Sequence, residues 1–579
     1  MAEMIRVCSF RQVFLPLFLS RGNPKAYPVP DRKIPNWKPV VLQTWYLVTL
    51  IIFTLALIAG VETLYWLSDK HVLRKGNGKP RDGGGLIGYY SVESLSVLEL
   101  FMWKYLPTLV GVIYGIVWRV TDEELKRTEP YYQLSKKASG ALAAVSLNIE
   151  YNNIWAPFVP ITAIKYKQWV VAAGGVISLL ATSAVPVFLS VVVRVDPSQK
   201  ERQKMENPED VLKRLVVDAL WTRLLELTLA IIAMFAIYIV VKLSSRRSGL
   251  LGDPSGIAGV AAMANNSHML MDFNDLDLAT EEKIHKQLNK RTYILHKGAL
   301  WQAKALREDE RDQSAPKAMN PHPLLLRMEG MVPFLVYILA AVVFVPLILY
   351  EKHFDIVMEK FPWVMPGMAV VTKCVWGVLE GELRMLEPFW ILFKRKAHSS
   401  VLTLDYTVTI PGAIIVKALS KGHWLLAWVA TVSIFIEFLT VLLGSLDSSA
   451  NSEEPRIFLK LAPAISLTIF VIAFATGLLV LKLRRHPFLP RQPGTISSVL
   501  AFIYQSKMLM DFSGTEQKST LQRKRKLGKL GKRYGFGWYL GRDGKRHLGV
   551  DQEPLLDVYK FGFDPREGVF DGPGDVGMV

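Results

Sequence analysis

The sequence predicts an all-α integral membrane protein. About eight transmembrane helices are expected, set out as two tandem four-helix repeats in parallel orientation, with a polar cytoplasmic segment after each repeat. Three observations lead there. The 579 residues are 51% hydrophobic with a mean hydropathy of +0.24, and the apolar residues are bunched into runs. One stretch occurs twice: YLPTLVGVIYGIVWRVTDEELKRTEPYYQLSKKAS from Tyr105, and FPWVMPGMAVVTKCVWGVLEGELRMLEPFWILFKRKAHSS from Phe361. Basic clusters recur at the same place in each copy and mark one side of a bilayer.

The duplication is more than a short motif. Trp118 lies over Trp376, Glu124 over Glu382, Leu125 over Leu383, Lys126 over Arg384, Glu129 over Glu387 and Pro130 over Pro388, all at one spacing. Upstream, Pro39-Val40-Val41-Leu42 resembles Pro323-Leu324-Leu325-Leu326. Downstream, Trp169 lies over Trp424 once three residues are dropped, and residues 254–273 match 493–512 with MLMDF in common. Matches in one order over such a length mean duplication.

In chain order, residues 1–39 read as a basic, Pro-rich arm ending at Trp37-Lys38-Pro39, an interfacial pattern. Residues 40–243 form the first membrane unit. Its spans are 42–67, then 94–118, which is short and carries Glu99 and Lys104, then 168–193 and 220–243, stopped by Arg246-Arg247. Residues 148–164, aromatic with two prolines, read as an interfacial or re-entrant piece. Residues 244–320 are a polar cytoplasmic segment. The second unit, 321–483, repeats the order with spans at 331–350, 361–379, 424–446 and 459–483, and residues 484–579 are a basic cytoplasmic tail. Within the tail, Asp543-Gly544 between alternating apolar residues is a hairpin signal. Whether 94–118 and 361–379 cross decides between parallel and inverted repeats.

Four spans per unit put the arm, the Glu-Pro loops, the middle segment and the tail on one side. That side carries Arg32-Lys33, Lys136-Lys137, Arg246-Arg247, Lys394-Arg395-Lys396 and Arg484-Arg485, against Asp447, Glu453 and Glu454 opposite, so both termini are expected in the cytoplasm. The net charge of +18 is read in the same terms, as lipid contact and helix orientation and not as nucleic-acid binding. The run Arg523, Lys524, Arg525, Lys526 is expected to meet anionic lipid headgroups, and the cytoplasmic tails to offer a surface for a protein partner. Asn265-Asn266-Ser267 is a glycosylation pattern that this topology keeps unmodified.

Composition excludes much chemistry. Two cysteines, Cys8 and Cys374, make no disulfide framework, and ten scattered histidines make no zinc spacing. No nucleotide loop, hydrolase elbow or HExxH is present, so neither enzyme activity nor a cofactor is expected. Charges inside spans are the functional candidates, because a charge at mid-bilayer is expensive. They are Arg223 and Glu226, one helical turn apart, with Lys373 and Glu437. The bland reading of the first two is a structural ion pair. Glu437 is the best single candidate for an ion or proton site, with Lys373 as its possible partner across helices. The repeated elements Trp118, Glu129, Pro130, Trp376, Glu387 and Pro388 are expected to be mechanical: proline ends the helix, and the acids clamp basic residues of the neighbouring unit.

Through Leu106-Pro107-Thr108, Trp118, the run from Glu129 to Ser135 and the run from Pro254 to Gly259, the chain resembles an uncharacterised family of multi-pass membrane proteins of filamentous fungi. They carry a duplicated domain of unknown function, and some are named spray-like. The second unit departs from the pattern with Glu387-Pro388-Phe389-Trp390, and the long outer loops common in the family are absent. The resemblance implies architecture and membrane location and lends no catalytic residues. Two roles follow from the residues themselves: a membrane scaffold or sensor with cytoplasmic docking segments, or a secondary transporter or channel with its site near Glu437 and Lys373.

Overall fold

The computed structural model describes residues 35–70, 85–90, 96–136, 140–151, 158–197, 212–265, 268–303, 320–351, 360–446 and 457–566. Most of the basic arm, Arg32-Lys33, Lys137, Asn266-Ser267, Asp447, Glu453 and Glu454 lie outside the described residues.

The first half runs α1 (Thr44–Lys70), α2 (Val97–Lys104), α3 (Leu106–Lys136), α4 (Val159–Lys165), α5 (Trp169–Leu179), a π turn Leu180–Ala184, α6 (Val185–Val191) and α7 (Ala219–Ser245). A polar stretch follows with α8 (Gly256–Ala264) and α9 (Glu281–Leu288). The second half runs α10 (Met328–Tyr350), α11 (Val364–Phe393), α12 (Ala413–Leu419), α13 (Trp424–Gly444) and α14 (Ile457–Arg484), then α15 (Ile496–Ile503) and α16 (Thr520–Lys529).

Among the described residues, six helices are long and apolar enough to cross a membrane: Thr44–Asp69, Trp169–Val191, Ala219–Ser245, Met328–Leu349, Trp424–Gly444 and Leu461–Arg484. Helices α2 and α3, bent by 48° at Tyr105, pass as a seventh only when taken together. Helix α11, the counterpart of α3, is not among them. Helices α1, α7, α10 and α14 are peripheral. They leave Trp45, Ile52, Leu227, Met234, Val336, Val343, Val471 and Leu478 exposed, an apolar surface that lipid would cover. The packing order is the same in both halves: first helix on fourth, second on third, third on fourth. The halves meet through α3 and α6 against α11 and α13.

Three expectations change. The chain is not all-α, because three small antiparallel sheets accompany the helices among the described residues. One joins β1 (Gly88–Tyr89), β4 (Lys213–Val217) and β3 (Val193–Asp196) at one end of the bundle. At the other end, β2 (Ala141–Leu142) pairs with the hairpin β5 (Thr292–His296) and β6 (Ala299–Gln302), and β7 (Ala397–His398) pairs with β8 (Arg533–Leu540) and β9 (Arg546–Gln552). The Asp-Gly hairpin is there, with Gly544 at φ +76° in its turn.

The second change concerns proline. Pro130 and Pro388 sit inside α3 and α11, which continue to Lys136 and Phe393. Proline disfavours helix at the residue before it and removes one backbone donor. Here tertiary contacts override that preference. Glu129 is held by Arg246 at 2.8 Å and Glu387 by Arg484 at 2.6 Å, with the arginines stacked 4.1 Å over Tyr132 and 4.0 Å over Trp390. Each clamp closes within its own half, not across to the neighbour as expected, and ties the Glu-Pro helix to the end of the fourth helix.

Thirdly, the two polar segments form one folded body. Backbone N–H of Ala258 donates to Leu402 O at 2.8 Å, and that of Ser497 donates to Leu147 O at 3.1 Å, so each half caps a loop of the other. Gly256, at φ +67°, leaves room that a side chain would take, since a Cβ there would lie 2.7 Å from Leu402 O. The repeated MLMDF is structural. Asp272 accepts from Tyr293 Oη at 2.7 Å and pairs with Arg291, while Asp511 accepts from Tyr534 Oη at 3.0 Å and pairs with Lys532 at 2.6 Å. Arg523 is 4% exposed and donates to Asp253 O at 2.6 Å, so it is not part of an outward polybasic run. Lys524 and Arg525 are exposed, and Lys526 donates to Ser513 O.

Candidate functional site

Helices α3, α11 and α13 bring their buried charges together at the seam between the halves. Lys373 Nζ lies 2.5 Å from Glu437 Oε2, a pairing the sequence could only offer as an option. Arg119 reaches across from α3, 3.7 Å from Glu437, 4.0 Å from Glu380 and 3.5 Å from Glu123. Glu380 pairs with Arg384 one turn on and accepts from Ser433 Oγ at 2.7 Å. Three cations (Arg119, Lys373, Arg384) thus face three carboxylates (Glu123, Glu380, Glu437), which offsets part of the cost of burying them. Glu437 is thirteen residues into α13, about 20 Å from the end nearest the folded polar body at 1.5 Å per residue.

Arg223 and Glu226 are elsewhere. They form a cluster with Glu62 at 2.7 and 2.6 Å, beside the sheet at the opposite end of the bundle, with Arg223 over the Tyr65 ring. With half of Arg223 exposed, this is the structural ion pair the bland reading predicts. Trp118 and Trp376 are fully buried packing anchors, against Tyr114 and Phe334.

Toward the polar body the network opens on a cavity of about 210 Å³. Equivalent residues of both halves line it: Lys126 with Arg384, Pro130 with Pro388, Tyr131 with Phe389, Tyr151 with Tyr406, Pro254 with Pro493, Ile257 with Ile496. The two tyrosines are held alike, Tyr151 by Gln168 at 2.5 Å and Tyr406 by His423 at 2.6 Å. Glu123 and Asp405 add carboxylates, and Arg127 is tied to Glu124 at 2.9 Å and Asp253 at 2.8 Å. Beside the cavity, burial and a neighbouring Glu281 push the Glu150 carboxyl up to about 8. Burial also pushes His423 down to about 4, keeping its ring neutral against Tyr406.

Arg119, Glu123 and Glu380 do not stand out as site residues in the sequence, because they fall at and beyond the ends of the apolar runs, in a charged helical turn. Their i,i+4 spacing was the available signal. Asp122 with Lys126 and Glu380 with Arg384 are the same ion pair in the two copies. Among the described residues no group of His, Cys, Asp and Glu has a metal-binding arrangement.

The profile of a family described as protein of unknown function (DUF3433) matches the chain twice, over residues 101–194 and 361–448. Each match covers the second and third helices of one half, which are the helices that meet at the seam. No curated protein matches the chain, and no solved structure does.

Proposed function

We propose that the chain is a multi-pass membrane protein of two like four-helix units, eight crossings inserted in the same direction, and that the seam between the units handles a small solute. The observation that carries this is the convergence of Arg119, Lys373, Glu380 and Glu437 at the seam, continuous through Glu123 and Arg384 with the cavity. Dispersed charges under the headgroups would instead have suited a scaffold. Carriers built from parallel repeats hold solute and coupling ions at the repeat interface. Support for eight crossings comes from α3, whose 31 residues are about 46 Å long and run from beside the β1–β4–β3 end to β2. The basic residues Arg247, Lys394 and Arg485 lie at the end with the folded body, which fits a cytoplasmic position for that end. Exposed Lys524 and Arg525 fit contact with anionic headgroups there.

A scaffold or sensor is the second reading. It is favoured by the folded body itself, whose capped helix α16 (Ser519 with Gln522) and paired hairpins offer a firm surface to a protein partner. Reconstituted vesicles with a lumenal pH dye, offered small solutes one at a time, separate the two. Solute-dependent flux that falls at least tenfold in Glu437→Gln supports the carrier. Folded protein with no flux for any solute leaves the scaffold.

A further inference from the structure

We infer that the seam cavity binds a small zwitterionic solute of amino-acid size with no net charge. This rests on the solute-handling reading and names its substrate class. The volume, about 210 Å³, lies below the roughly 300–1,000 Å³ of drug-sized sites and suits a solute of amino-acid size. Both signs of charge are on the walls. Lys126 Nζ has three donors and an ion-pair partner in Asp122 at 2.6 Å, so it can donate to a carboxylate as well. Glu123, which pairs with Arg119 at 3.5 Å, and Asp405, which lies 3.9 Å from Arg127, put negative charge on the same walls.

The prolines add acceptors. A helical N–H at 130 would bond the carbonyl of Lys126, and one at 388 that of Arg384. Proline has no N–H, so both carbonyls lose their intrahelical donor beside the cavity, on equivalent walls. The wall cations are already matched, Arg127 by Glu124 and Asp253, and Arg384 by Glu380. A phosphate or a free carboxylic acid would therefore bring uncompensated charge into the site. A zwitterion brings none, and Tyr131, Phe389, Ile257 and Ile496 give its side chain an apolar wall.

The test uses the full chain in lipid nanodiscs and equilibrium binding of leucine and phenylalanine, against isoamylamine and isovalerate. The zwitterions are expected to saturate and to bind at least tenfold tighter than the amine or the acid. Val408→Trp, which fills the cavity, is expected to weaken binding at least tenfold, and Ile496→Trp does the same from the other wall should the first variant unfold. Lys126→Gln weakens binding of the zwitterions and leaves the amine unchanged. Absence of saturable binding, equal binding of amine or acid, or indifference to both tryptophans overturns the site. Binding without flux keeps the site and removes the carrier, whereas flux untouched by the tryptophans keeps the carrier and removes the site.

Discussion

The second and third helices meet in both halves, but not by the same means. In the first half Gly115, three residues before Trp118, lets α3 approach the π turn closely, and a Cβ there would lie 2.7 Å from Ala181 O and 3.0 Å from Thr182 Cα. The equivalent positions in the second half are Lys373, three residues before Trp376, and Glu437, thirteen after Trp424 as Thr182 is thirteen after Trp169. An ion pair there takes the place of a backbone contact. The residue after the tryptophan reverses the asymmetry. It is Arg119 in one copy and Gly377 in the other, and a Cβ on Gly377 would lie 3.9 Å from the Arg119 guanidinium. The helix arrangement is thus common to the two halves, while the charged positions at the seam differ between them.

The strongest way to break this comparison is to remove one member of the ion pair. Lys373→Met leaves Glu437 buried with only Arg119 near, and should lower stability by about 3–5 kcal/mol. Adding Glu437→Leu should restore most of it, read as the thermal midpoint in nanodiscs. If the double variant is no better than the single one, the pair is not the counterpart of the Gly115 contact. Next in size is the MLMDF aspartate. Asp272→Ala and Asp511→Ala each strand a tyrosine and a cation, and should cost roughly 2–3 kcal/mol apiece and to a similar extent. Unequal losses would show that the two polar segments are not equivalent.

Glycines sharpen the comparison further. Gly115→Ala should destabilise by about 1–3 kcal/mol because the neighbour is backbone. Gly381→Ala, with nothing within 4 Å, should be neutral or gain up to about 1 kcal/mol of helix propensity. A last effect concerns pH. Glu150 rises to about 8 from the usual 4.5, so between those values the native state holds a proton that the unfolded chain has lost. Stability contributed by this group is full below about 4.5 and declines as pH rises to about 8, with a slope of at most about 1.4 kcal/mol per pH unit. Glu281 and Glu382, which face it, share in the titration. Midpoints from pH 5 to 9 should flatten in Glu150→Gln.

Much of this was written in one dimension. Apolar runs locate the spans, because hydrocarbon demands continuous length, and six helices carry that signal unaided. Self-similarity revealed the duplication, and Asp543-Gly544 the hairpin, since its turn needs a backbone that few residues adopt. What the three-dimensional structure alone decided is everything that depends on partners distant in sequence. Pro130 and Pro388 stay helical because Arg246 and Arg484 hold the residues before them. Arg523 turns inward because Asp253 lies there. Charges scattered along the sequence became a buried network because α3 and α6 of one half were set against α11 and α13 of the other, and ion pairs need a distance that no linear pattern specifies.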